Sequence, residues 1–110
     1  MTARPTISLC LIVKDGEPYI EKCLASVVVK ATRFGNAAFD EIVLLVDDRT
    51  TDNTVEIANR YAPIQNNLGG CFLIRSHTWP DDFSIARQRS FDLATGDWRG
   101  WIDSDDVFVG

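Results

Sequence analysis

Two groups of carboxylates stand directly after apolar runs. Asp103-Ser104-Asp105-Asp106 follows Trp101-Ile102, and Asp47-Asp48 follows Ile42-Val43-Leu44-Leu45-Val46. Clustered carboxylates repel one another unless a cation or a hydrogen-bond donor neutralises them. Oxygen ligands without Cys or His suit hard cations, so the expected metal is Mn²⁺ or Mg²⁺. Mg²⁺ is usually held by one or two carboxylates together with substrate phosphates, so the acidic groups also point to a phosphorylated ligand.

The remaining metal-capable residues add little. Cys10, Cys23 and Cys71 are scattered, show no C-x-x-C spacing and read as buried thiols. His77 is alone and reads as a loop residue. The net charge of −5 argues against a nucleic-acid backbone as partner, which would require a Lys/Arg surplus. It leaves a nucleotide open, because one metal and a few donors can meet its phosphates.

These residues need a frame to converge. The chain has 110 residues, 45% hydrophobic and 25% charged, which suits at most one small domain. Ile7–Val13, Ile42–Val46, Cys71–Ile74 and Trp98–Ile102 read as strands. The near-continuous apolar runs suit strands covered on both faces. Between them, Glu17–Lys30 has Pro18 in its first turn and Ile20, Cys23, Leu24 and Val27 at helical spacing. The run Val27-Val28-Val29 weakens its end.

A second helix opens with Asn53 and Glu56 as a capping box and stops at Pro63. A third, capped by Asp82 or Ser84, runs to Ala94 with Phe83, Ala86, Ser90, Leu93 and Ala94 on one face. Gly96 sits where a left-handed terminating residue belongs. Loops are expected at Phe34–Ala38, Gln65–Gly70 and Trp79-Pro80. The order βαβαβαβ specifies an α/β, Rossmann-like three-layer sandwich with a mainly parallel sheet.

Ligands of such sheets bind beyond the carboxyl ends of the strands. There the sequence places Lys14 to Glu17, Asp47-Asp48-Arg49, Ser76-His77-Thr78 and Asp103 to Asp106. Both acidic groups therefore face one crevice.

The blocks K14-D-G-E-P-Y-I-E-K-C-L-A-S-V, E41-I-V-L-L-V-D-D-R-T-T-D-N-T, F83-S-I-A-R-Q-R-S-F-D-L-A-T-G-D-W and W101-I-D-S-D-D resemble a family 2 glycosyltransferase. Four blocks in order, spanning Ile7 to Val107, carry the resemblance. The stretches Trp79 to Arg89 and Trp98 to Asp106 are most similar to the bacterial subgroup associated with tetratricopeptide repeats or lantibiotics. The resemblance implies a GT-A fold and a nucleotide-diphosphate sugar as donor, a UDP-sugar first, with a hexose-type sugar passed to an unknown acceptor. It implies that Asp47 and Asp48 contact the nucleobase and that Lys14 to Glu17, with Asp15 and Glu17 among them, line the nucleoside pocket. Asp103 and Asp105 match the D-x-D motif and would hold the metal, Asp103 also serving the ribose. Arg87 would meet phosphate or sugar hydroxyls.

Three departures matter. The usual D-D-G-S reads Asp47-Asp48-Arg49-Thr50, where Arg49 either reaches phosphate or points to solvent. The usual A-R-N reads Ala86-Arg87-Gln88. Such a domain normally runs to about twice this length, so residues 1–110 correspond to the nucleotide-sugar-binding half, truncated after the D-x-D strand. The acceptor half and the catalytic base of an inverting transfer are then absent. A non-catalytic nucleotide-binding module is the alternative.

Two further readings fail on position. A haloacid-dehalogenase-type phosphohydrolase would open its fold with Asp103-x-Asp105, and a receiver-type phosphoacceptor would end its first strand with Asp47-Asp48. Trp98 and Trp101 are expected to pack, Trp79 is the tryptophan best placed for function, and Arg89 lies on the surface. Asp81 and Asp82 favour a helix N-terminus. No segment approaches the ~20 apolar residues of a membrane span and no signal peptide is evident, so the expected location is cytoplasmic. An exposed sheet edge would allow a homo-oligomer.

Overall fold

The computed structural model describes residues 5–30, 32, 35–78 and 83–109, the side chain of Phe83 excepted. Four strands form one all-parallel sheet: β1 (Ile7–Val13), β2 (Glu41–Asp47), β3 (Cys71–His77) and β4 (Trp98–Trp101). Their order is β3-β2-β1-β4. The first two crossovers step one way from β1 and the third returns to its other side. The carboxyl ends of β1 and β4 therefore flank the switch point of the topology.

Three helices make the crossovers: α1 (Glu17–Leu24), α2 (Thr54–Asn67) and α3 (Phe83–Leu93). Strand alternation divides the core between two faces. Leu9, Leu11 and Val13 of β1, with Ile42, Leu44 and Val46 of β2, pack with Ile20, Cys23, Leu24, Ile57 and Ala58 of α1 and α2. Cys10 and Val43 point the other way, toward Phe91, Leu93 and Ala94 at the end of α3. All seven residues of β2 are buried, as expected for a central strand covered on both sides. The three-layer α/β expectation holds.

Local departures from the sequence reading have physical causes. The first helix is α-helical only to Leu24, and Ala25–Lys30 continues it as a π-helical segment. At the junction the Ser26 hydroxyl donates to the Cys23 carbonyl at 2.6 Å, competing with the backbone ladder. The second helix runs through Pro63 to Asn67 rather than stopping there. Pro63 is exposed, and the next turn is drawn inward by buried Gln65, whose Nε2 donates to the Phe39 carbonyl at 2.7 Å. Gly69, at φ +92°, then turns the chain.

Asn53 makes no side-chain cap. Asp52 Oδ1 instead accepts the Thr54 N–H at 3.0 Å. Gly96 is not left-handed; it is required by close approach. A Cβ there would lie 2.5 Å from Ser8 Oγ, which accepts the Gly96 N–H at 2.9 Å. Ser84 lies inside α3 rather than capping it, while Asp82, Asp81, Trp79, Pro80 and Phe34 fall outside the described residues. His77 ends β3 instead of lying in a loop, and Cys71, first residue of that edge strand, is exposed instead of buried. Among the described residues, no helix is long and apolar enough to cross a membrane.

Candidate functional site

The D-x-D turn follows β4. Asp106 donates its N–H to the Asp103 carbonyl at 2.9 Å, closing a tight turn that gathers the acidic side chains. One oxygen from each of Asp103, Asp105 and Asp106 lies within 4.8 Å of the others, and all three residues are exposed. The hydrogen bonds described at this turn are accepted by the main-chain carbonyl of Asp103, and no described residue donates to the three carboxylates. Among the described residues none forms an ion pair with these three like charges, an arrangement a divalent cation would relieve.

Helix α1 supports the turn from below. The Cys23 thiol lies 3.8 Å from the Asp103 carbonyl. Burial, reinforced by Asp106, Asp105 and Asp103, pushes that thiol up to about 12, so it stays protonated. The following segment is tied down as well. Phe108 donates its N–H to Ser26 Oγ at 2.9 Å and sets its ring edge-on to Phe39, 5.3 Å between centroids.

Beside the turn opens a cleft of about 350 Å³, lined by Ile12, Tyr19, Arg87, Asp103, Ser104 and Asp105. It lies at the β1–β4 switch point, with Ile12 from the carboxyl end of β1 and Arg87 from the first half of α3. Ala86 and Ser90 are fully buried against the sheet, which fixes the helix and leaves Arg87 half-buried at the rim. The Arg87 guanidinium carbon sits 3.8 Å from the centroid of the Trp101 ring. Tyr19 and Trp101 were not expected at the site. Tyr19 reads in sequence as one more helix residue. Trp101 reads as packing, yet it is 48% exposed, and Trp98 is 65% exposed, because β4 lies at the sheet edge.

The second acidic group is built differently. Asp47 is fully buried at the end of β2. Its Oδ1 accepts the Arg49 N–H at 2.9 Å and Nε–H at 3.0 Å, and its Oδ2 accepts from Nη2 at 2.6 Å. These side-chain bonds from Arg49 hold the Asp47 carboxyl down at about 2 against the cost of burial. Arg49 thus packs back onto the acid two residues before it while its side chain stays 47% exposed. Asp48 is exposed and accepts the Thr78 hydroxyl at 2.7 Å.

Asp15 and Glu17 knit the first loop to the second. Asp15, at φ +48°, accepts the Thr51 N–H at 2.8 Å. Glu17 accepts the Asn53 N–H at 2.8 Å and donates its own N–H to Asp52 at 3.0 Å. Thr54 Oγ1 accepts the Gly16 N–H at 2.8 Å while donating to Asp52. Burial raises Asp52, but the bonds from Thr54 and Glu17 outweigh it and leave its carboxyl below the ordinary value. The structure therefore brings Arg87, Asp103 and Asp105 to one cleft. Asp15 and Glu17 follow β1, Asp47 ends β2 and Asp48 follows it, and none of the four is among the described lining.

The comparisons with known proteins agree with this architecture. The description "Glycosyl transferase family 2" matches residues 8–109. The chain belongs to this family.

A TPR repeat-containing protein of Synechococcus elongatus is 34% identical over 107 residues, covering 97% of this chain and 22% of that protein. The SPbeta prophage-derived glycosyltransferase SunS of Bacillus subtilis is 34% identical over 104 residues, covering 94% and 21%. The crystal structure of S. aureus TarS shares the fold, with a TM-score of 0.75 at 22% identity over 93% of this chain and 17% of that one. The chain thus spans about a fifth of the length of the curated relatives named here.

Proposed function

We propose that this family 2 chain binds a nucleotide-diphosphate sugar through a divalent cation, as the donor site of a glycosyl transfer. The observation that carries the proposal is the shared cleft, where Arg87 and the D-x-D carboxylates converge while no described residue donates to or pairs with the acids. The donor set fits Mn²⁺ or Mg²⁺: carboxylate oxygens on a tight exposed turn, leaving coordination positions for phosphate and water. Asp103 and Asp105 would hold the metal, with Asp106 within reach. When bound, the ion supplies charge neutralisation at the diphosphate as the sugar–phosphate bond breaks.

The chain's own groups do the rest. Arg87 donates N–H bonds to diphosphate oxygens. Ile12 and Tyr19 form an apolar wall that excludes water beside them. The nucleoside lies toward the Lys14–Glu17 and Asp48 loops, whose cross-links hold that rim rigid. Asp47 acts there through Arg49, since both its oxygens already accept from that side chain. A UDP-hexose is the donor proposed on family resemblance. The free edge of β4 offers a surface for a second copy.

Calorimetric titration with UDP tests the proposal. Binding is expected in Mn²⁺, is lost with a chelator, and weakens at least tenfold in Asp105→Asn, about the worth of one ionic ligand. Equal binding with and without metal would overturn it.

A further inference from the structure

We infer that Trp101 is a positioning residue: it holds the Arg87 guanidinium flat at the rim of the cleft, so that the N–H edge is ready for an anionic diphosphate beside Asp103. The inference rests on the donor-site reading above and adds a residue which that reading does not contain.

Packing does not account for Trp101. It is 48% exposed, on a four-residue edge strand whose residues are all exposed. Register then sets the direction of its ring. Trp101 pairs with Cys10, whose side chain points to the α3 layer, so the indole faces α3 as well. Trp98, three residues earlier, faces the opposite side. Helix α3 brings Arg87 onto the indole, one position after fully buried Ala86. The 3.8 Å separation is contact distance for a cation over an aromatic face.

The ring also accounts for why Arg87 stays clear of its acidic neighbours. A guanidinium beside Asp103 and Asp105 would ordinarily fold onto a carboxylate, as Arg49 does on Asp47. No ion pair joins Arg87 to a described carboxylate. Stacking uses the face of the guanidinium and leaves its N–H groups radiating in the plane, where they match a phosphate fork. An arginine ordered before the ligand arrives loses less side-chain freedom on binding. Arg87 and Trp101 also share a small pocket with Asp103. The stack, the D-x-D turn and the cleft are therefore contiguous.

A double-mutant cycle tests this, with UDP in Mn²⁺ as the probe and calorimetry as the readout. Trp101→Leu is expected to weaken binding roughly 3- to 30-fold, the range of a cation–π contact. Trp101→Phe should restore most of the loss, and the Trp101→Leu/Arg87→Gln double variant should bind no worse than Arg87→Gln alone. Tryptophans of increasing fluorination, introduced at position 101, keep the shape while draining the ring's negative face. Affinity should then fall stepwise, which separates the contact from any folding defect of the leucine variant. A full Trp101→Leu loss on the Arg87→Gln background, or affinity indifferent to fluorination, overturns the inference. If the unaltered chain binds no UDP in Mn²⁺, the donor-site reading itself fails and this one falls with it.

Discussion

Asp47 and Asp103 show how differently the same residue type can be used at two strand ends. Asp47 is fully buried and its charge is met inside the chain by Arg49. Asp103 is exposed with no described donor to its carboxylate. Sequence marked both as acids after apolar runs and marked Arg49 as a departure from D-D-G-S, but not that the arginine would close on Asp47. That outcome depends on whether the second acid group is buried, which tertiary packing decides.

The pair has a pH signature. The folded Asp47 carboxyl titrates at about 2, below its ordinary 3.8, so the pair's contribution is present above about pH 4 and is lost as pH falls toward 2. Asp47→Asn should destabilise the chain at pH 7 by about 1 kcal/mol, since Arg49 is half exposed and solvent screens part of the attraction. Denaturation midpoints at pH 7, 4 and 2.5 check this. The gap between unaltered chain and variant should shrink between pH 4 and 2.5; a constant gap would show that the pair does not titrate as described.

At the scale of elements, the strands were legible because four apolar runs alternate with helical spacing, and each observed strand covers its predicted run to within a few residues. Helix ends were less legible. Pro63 argues for a stop only if local propensity decides, whereas burial of Gln65 carries the helix onward. The β-branched run after Leu24 did announce a weak helix end, but not the π-helical winding that Ser26 introduces.

That segment matters because it holds the D-x-D turn and the residues after it. Ser26 donates to the Cys23 carbonyl and accepts from Phe108, so one hydroxyl joins the helix to the segment behind the acids. Ser26→Ala should cost about 1–2 kcal/mol, because the part-buried Phe108 N–H loses its acceptor. Hydrogen exchange at Phe108 should accelerate markedly, and Mn²⁺-dependent UDP affinity should fall a few-fold as the turn loosens. Unchanged exchange at Phe108 would mean that this contact does not hold the segment.

For the whole molecule, alternation implied parallel strands, and the structure adds their order. Placing β4 beside β1 puts the D-x-D turn next to Ile12 and brings Arg87 over from the opposite layer. The contacts between the first and second loops span 35 to 38 residues, so no local pattern foretold that Asp15 and Glu17 would fasten one loop to the other. Those bonds make the rim on the β1–β2 side part of the folded framework.

The β1–β4 side, by contrast, carries three clustered acids with which no described residue pairs. Binding there should therefore feed into global stability, because a ligand that recognises only the folded chain stabilises it by mass action. Mn²⁺ alone should raise the melting temperature modestly by relieving repulsion among Asp103, Asp105 and Asp106. Mn²⁺ with UDP, at 100 times the dissociation constant, should add about 2.7 kcal/mol, a shift on the order of 10 °C for a chain of this size. UDP without metal should do little, and Asp105→Asn should remove most of both shifts. A metal-induced shift of equal size in Asp105→Asn would place the cation somewhere other than this turn.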